Sequence, residues 1–144
     1  MKYMQRAIAL SGLLLLLTFS SALGQSDRQT IIHIPFNFIV GEKTFPAGQY
    51  VIRQNRKDSD LVWVIRHKDD VGNALVLTRP VRANETVEQT KLVFHQYDDL
   101  YFLAEFWTRG NNTGRAIQTS SREKALERVL AEKRQDHVLI DRGK

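Results

Sequence analysis

Residues 91–115 read KLVFHQYDDLYFLAEFWTRGNNTGR, two apolar runs on either side of Asp98-Asp99 followed by a turn-rich segment. Apolar runs of this length around a two-residue turn predict a β-hairpin. Pairing Tyr97 with Leu100 places His95 beside Phe102, Val93 beside Ala104 and Lys91 beside Phe106 on one face. The other face then pairs Gln96 with Tyr101, Phe94 with Leu103, Leu92 with Glu105 and Thr90 with Trp107. Both faces are largely apolar, whereas a sheet with one wet side alternates cleanly. A cover for the second face is therefore expected.

The nearest cover is the segment SSREKALERVLAEKR, where Ala125, Leu126, Val129 and Leu130 recur at helical spacing. Ser120 followed by Glu123 reads as a capping box, and Lys133 and Arg134 stand at the negative end of the helix dipole. An amphipathic helix over about residues 120–134 follows, with Tyr101 and Trp107 beneath it, Glu105 at its rim and Arg109 a solvated strand end. The functional alternative leaves Tyr101, Glu105, Trp107 and Arg109 lining a groove that holds a sugar ring, a peptide or a small acid. Arg115, in the loop RGNNTGR, is a further ligand-binding candidate beside its plainer role as an ion-pair partner.

Working upstream, IIHIPFNFIV alternates as a half-buried strand with Pro35 at an edge or bulge. Gly41 and Pro46-Ala47-Gly48 mark reversals, and a strand through Tyr50 and Ile52 follows. The charged stretch at residues 53–60 is a loop, LVWVIRHK a further strand, and ALVLTRPV a strand fading at Pro80. The tail DHVLIDRGK adds a short strand or hangs free. Together these describe a mainly β chain: one antiparallel domain of six or seven strands, barrel or sandwich, with a C-terminal amphipathic helix.

The beginning of the chain bears on location. Lys2 and Arg6 precede the apolar run IALSGLLLLLTF, and small residues follow in SSALG, the order of a secretory signal peptide. Cleavage after Gly24 fits best, with Ala22 the alternative, leaving residues 25–144 as one β-rich domain. The chain has no cysteine, so neither a disulfide nor a lipid-bearing cysteine is available. Removing Lys2 and Arg6 lowers the basic count from 21 to 19 against 16 acids, so the net charge of +5 falls to +3. That balance gives little support to nucleic-acid binding.

Catalytic and metal constellations are sparse. No serine sits in a Gly-x-Ser-x-Gly elbow. His33, His67, His95 and His137 never take the spacing of metal ligands on one helix, so no metal and no cofactor is expected. Asp69-Asp70 and Asp98-Asp99 fall in turns, where aspartate bonds its own backbone. Glu105 is the one acid embedded in a strongly apolar strand, and a lone acid lacks the second carboxylate of a glycosidase. A weak hydrolase or isomerase centred on Glu105 would need a partner such as His95, which the pairing above puts on the opposite face.

The stretches IPFNFIVGEKTFPAGQYVI and KLVFHQYDDLYFLAEFWTRGNNTGR, with SSREKALER after them, resemble a family of small exported acidobacterial proteins of unknown function. Phe45 stands where that family usually has leucine before the proline, and Asp99 where its hairpin turn more often has glycine. The resemblance implies export and β structure, and carries no activity or site residues with it. The combined expectation is a periplasmic or secreted, non-catalytic binding or interaction module. Its partner would be a small ligand, an envelope polymer or another exported protein, with edge strands open to homodimer pairing. A purely structural or stress-related envelope protein without a ligand site is the rival expectation.

Overall fold

The computed structural model describes residues 29–55 and 61–142. The expected signal peptide at residues 1–24 lies outside the described residues, as does most of the expected charged loop at 53–60. Among the described residues there are ten strands and one short helix, where six or seven strands were expected. The strands are β1 (Gln29–Ile34), β2 (Phe38–Val40), β3 (Lys43–Phe45), β4 (Gly48–Gln54), β5 (Val62–His67), β6 (Asn73–Arg82), β7 (Lys91–Tyr97), β8 (Leu100–Trp107), β9 (Thr113–Ile117) and β10 (Arg134–Ile140). Helix α1 (Ser121–Leu130) and a 3-10 turn (Ala131–Lys133) precede β10.

The extra strands have physical explanations. β2 and β3 are three residues each, too short to show a period of their own. The expected single strand IIHIPFNFIV is cut by a bend at Phe36, after which β2 joins a different part of the sheet from β1. Within that bend the Phe36 ring packs against Tyr101 at 4.4 Å and Phe94 at 5.1 Å. β9 takes up Thr113–Ile117, including the TGR that reads as loop, and β10 is the tail, paired with β7.

The sheet order is β1-β4-β5-β6-β9-β8-β2-β3, with β7 on the other edge of β8 and β10 beyond β7. All pairings are antiparallel except β2 with β8. β6 ties two wings together. Its first half, to Leu77, pairs β5, and its second half, from Thr78, pairs β9. β6 thus runs on through Pro80 instead of fading there. Past Leu77 it has lost its β5 neighbour, so a residue without an N–H is tolerated on the free side.

The inward faces of both wings enclose one core. Ile32, Ile34, Tyr50, Ile52 and Ile65 of the first wing meet Phe38, Leu92, Phe94, Leu103 and Phe106 of the second. Tyr50 is sealed inside and donates its hydroxyl to Pro46 O at 2.5 Å. Burial pushes its phenol up to about 12.

Helix α1 packs on the outer face of the second wing, where Leu126 and Leu130 rest on Ile39, Tyr97 and Phe102. This corrects the expectation that Tyr101 and Trp107 lie beneath it. On the outer face of the first wing Ile31, Leu75 and Leu77 are exposed.

The β7–β8 register departs from expectation part-way along. Tyr97↔Leu100, Gln96↔Tyr101, His95↔Phe102 and Phe94↔Leu103 pair as read from the turn. Asp98 supplies the positive φ, 50°, that the two-residue turn uses. Beyond Phe94 a bulge intervenes, and Val93 pairs Glu105, Leu92 pairs Phe106 and Lys91 pairs Trp107. Ala104 is the extra residue on β8. It sets Phe106 facing the core beside Leu103, and turns Glu105 and Trp107 to the outside.

Candidate functional site

The bulge decides where the expected site residues go. Glu105 and Trp107, two apart on the outer face, bond each other: Trp107 Nε1 donates to Glu105 Oε2 at 2.9 Å. The Trp107 ring lies on Gly114 of β9, with the Lys91 ammonium 5.4 Å from its centre. Trp107 is 8% exposed, so it is a packed side chain more than an open platform. Tyr101 faces the other way, packed at a tilt of 30° against Phe36 and edge-on to His137 at 5.4 Å. Arg109 is exposed beyond the end of β8, its backbone N–H held by Thr90 Oγ1 at 3.1 Å. The five expected residues are therefore not gathered into one groove.

Arg115 alone reaches a cavity that adjoins the core. It pairs with Phe106 across β8 and β9, and its guanidinium carbon stands 5.8 Å from the centre of the Trp63 ring. Trp63, at the start of β5, meets Phe106 with ring centres 4.6 Å apart. These three residues line a cavity of about 450 Å³ at one end of the fold, together with polar side chains of Gln29, Thr30 and Gln54 from the first wing and Thr108 and Thr113 from the second. The cavity thus sits between the wings where the core gives out. Tyr101, Glu105 and Trp107 do not line it.

Two polar groups here lack partners among the described residues. No carboxylate pairs with Arg115. Trp63 Nε1 is buried without a hydrogen-bond acceptor. Buried donors in folded proteins are nearly always satisfied, so an orphaned indole N–H calls for an explanation. Sequence reading missed Trp63 because it sits in the run LVWVI, where an aromatic reads as core. Its relation to Arg115 depends on β5 and β9 both flanking β6, which no local pattern reveals.

A second polar cluster lies between α1 and the sheet. Glu123, 5% exposed, sits at the third helical position, and its backbone N–H is capped by Ser120 Oγ at 3.1 Å. Its carboxylate reaches sideways to His95 Nδ1 at 2.5 Å and accepts from the Tyr97 hydroxyl at 3.5 Å. The other ring nitrogen of His95 lies 2.8 Å from Arg134 Nη2. Arginine only donates, so Nε2 accepts and Nδ1 carries the proton given to Glu123. Burial, reinforced by the Glu123 carboxylate, pushes the Tyr97 phenol up to about 12.

The register also corrects the expected placement of His95 and Glu105 on opposite faces. Beyond the bulge both point outward. Each is nonetheless engaged elsewhere, His95 with Glu123 and Arg134, and Glu105 with Trp107. Among the described residues no cluster of three or more His, Asp or Glu side chains could hold a metal ion. No helix among them is long and apolar enough to cross a membrane. Comparison of the chain with family models, curated proteins and solved structures gives no match.

Proposed function

We propose that the protein is an exported, non-catalytic binding module that holds a small ligand in the cavity between its wings. The observation that carries this reading is the cavity itself. At about 450 Å³ it falls within the range of small-molecule sites, and it combines two aromatic walls, Trp63 and Phe106, with a few converging polar groups. Export rests on the order of residues at the start of the chain, with Lys2 and Arg6 before the apolar run and small residues after it. A hydrolase or isomerase centred on Glu105 receives less support, because the Trp107 indole occupies its carboxylate and His95 is bonded away from it.

A thermal-shift screen of residues 25–144 against glycans, peptides, fatty acids, small acids and divalent ions tests the reading. A ligand at about 100 times its dissociation constant adds roughly 2.7 kcal/mol, enough to raise the melting temperature by several degrees. The shift should vanish in Phe106→Ala, a variant whose own stability is measured first. No shift across the panel would favour the rival role, a structural or stress-related envelope protein without a small-molecule site.

A further inference from the structure

We infer that the cavity selects a small monoanion with a flat apolar body, its carboxylate or equivalent two-oxygen head against Arg115 and its body against the corner formed by Trp63 and Phe106. This rests on the reading of the cavity as a binding site and names the ligand's chemistry. Three observations on different groups carry it.

The first is the state of Arg115. It is partly buried, leans over an indole, and has no carboxylate partner among the described residues. Arg134, by contrast, has Glu127 at 3.2 Å and Asp136 at 3.8 Å. A guanidinium presents a planar fork matched to two oxygens, so an unpaired one at a cavity wall selects for a carboxylate, phosphate or sulfonate.

The second is the Trp63 indole N–H, buried without an acceptor. It belongs to the ring that Arg115 overlies, and with no surface open to solvent it would gain an acceptor only from a ligand whose entry shifts that ring. The two donors ask for the same thing. Among the described residues no acid competes for it, since none of those lining the cavity is an aspartate or glutamate.

The third is the shape and chemistry of the walls. The Trp63 and Phe106 rings, 4.6 Å between centres and inclined at 60°, present an aromatic corner at the cavity's inner end. Flat apolar groups pack well in such a corner, and offset or edge contacts between aromatic groups add to the area buried. Gln29, Thr30, Gln54, Thr108 and Thr113 border the space with neutral polar groups, which leaves Arg115 as the one charge among the described residues that line it. A dianion would leave a net negative charge, and a neutral ligand would leave the guanidinium unpaired.

The test uses a matched pair of probes, phenylacetate and phenylacetamide, which share shape and differ in charge. Each is titrated into the purified protein while melting temperature and tryptophan emission are followed. Phenylacetate should bind at least about tenfold more tightly than the amide, in keeping with the roughly twofold greater strength of charge-assisted hydrogen bonds. Arg115→Gln should abolish that preference while leaving weak binding of both probes. Trp63→Phe, which keeps an aromatic wall and removes the N–H, should weaken phenylacetate more than the amide, whose carbonyl also accepts but without the charge.

Equal binding of the two probes by the wild-type protein would overturn the anion preference while leaving the cavity as a site. Binding of neither probe would overturn the anion preference and the cavity reading together. A preference that survives Arg115→Gln would show that the charge is read elsewhere, and would overturn this assignment. Circular dichroism of both variants establishes that each is folded before its titration is interpreted.

Discussion

Gly114→Ala tests whether the contact between β8 and β9 needs a glycine for space or only tolerates one. Gly114 has no left-handed backbone angle, unlike Gly41 and Gly110, so its φ and ψ would accept alanine. On the unfolded side alanine has fewer states to lose, which favours folding by about 0.4–1 kcal/mol. Against this, the added methyl would stand 2.6 Å from Cε3 and 2.7 Å from Cε2 of Trp107. The ring is 8% exposed and its N–H is committed to Glu105, so it has little room to retreat. Overpacking of this kind costs about 1–3 kcal/mol, and loss of a hydrogen bond to a carboxylate about 1.5–3 kcal/mol more. The steric side wins, with a net loss of about 1.5–5.5 kcal/mol. For a domain of this size that lowers the melting temperature by roughly 4 °C per kcal/mol. Urea unfolding followed by tryptophan emission gives the free energy directly. In a Trp107→Ala background the same substitution should be neutral or stabilising by up to about 1 kcal/mol. If Gly114→Ala cost the same in both backgrounds to within about 0.5 kcal/mol, the two residues would not be coupled and the reasoning would fail.

Tyr50 and Tyr97 hold their phenols up to about 12, above the ordinary 10.0, so the folded form keeps both protons more tightly than the unfolded form. Their contribution is full below pH 10 and is lost as pH rises towards 12, at about 1.4 kcal/mol per pH unit for each tyrosine. Urea midpoints measured from pH 9 to 12 should show that slope, and Tyr97→Phe should roughly halve it; an unchanged slope would count against the assignment. Glu123→Gln removes the carboxylate from His95 and Tyr97 and should cost about 1.5–3 kcal/mol. Amide exchange in residues 121–130 should speed up in that variant, and an unaltered exchange rate would mean that the helix is held by Leu126 and Leu130 alone. N-terminal sequencing of the protein from fractionated cells should find Gln25 first in the exported fraction, and an intact Met1 there would remove the basis for the signal peptide.

The hairpin was legible because its turn is marked by two aspartates and its strands by unbroken apolar runs. The four pairs nearest that turn follow directly from it. The error begins at Ala104, a small residue with no turn signature, where the bulge adds one position and changes which side chains share a face. The helix announced itself by a change of period, although its last expected turn became the 3-10 turn before β10. Ser120 and Glu123 were read as a reciprocal cap, and half of it is present: the serine caps the helix, while the glutamate side chain goes to the sheet. The tail DHVLIDRGK reads equally as a short strand or a free end; in the structure it is β10, with Val138 and Ile140 exposed. Arg115 was singled out as a charged residue next to glycine. Its relation to Trp63 was out of reach, since it depends on the order of strands across β6.

The bulge at Ala104 also makes chain length along β8 a constraint in its own right. Because side chains alternate with a period of two, one residue decides which of its neighbours is an inside and which an outside position. A deletion at that point would do far more than remove a methyl group. It would exchange the addresses of everything after it up to the next loop, sending Glu105 and Trp107 towards the core and Phe106 to the surface. Insertions and deletions between Leu103 and Trp107 should therefore be tolerated far less than substitutions at the same positions. The hairpin carries a reading frame in space, and Ala104 keeps it.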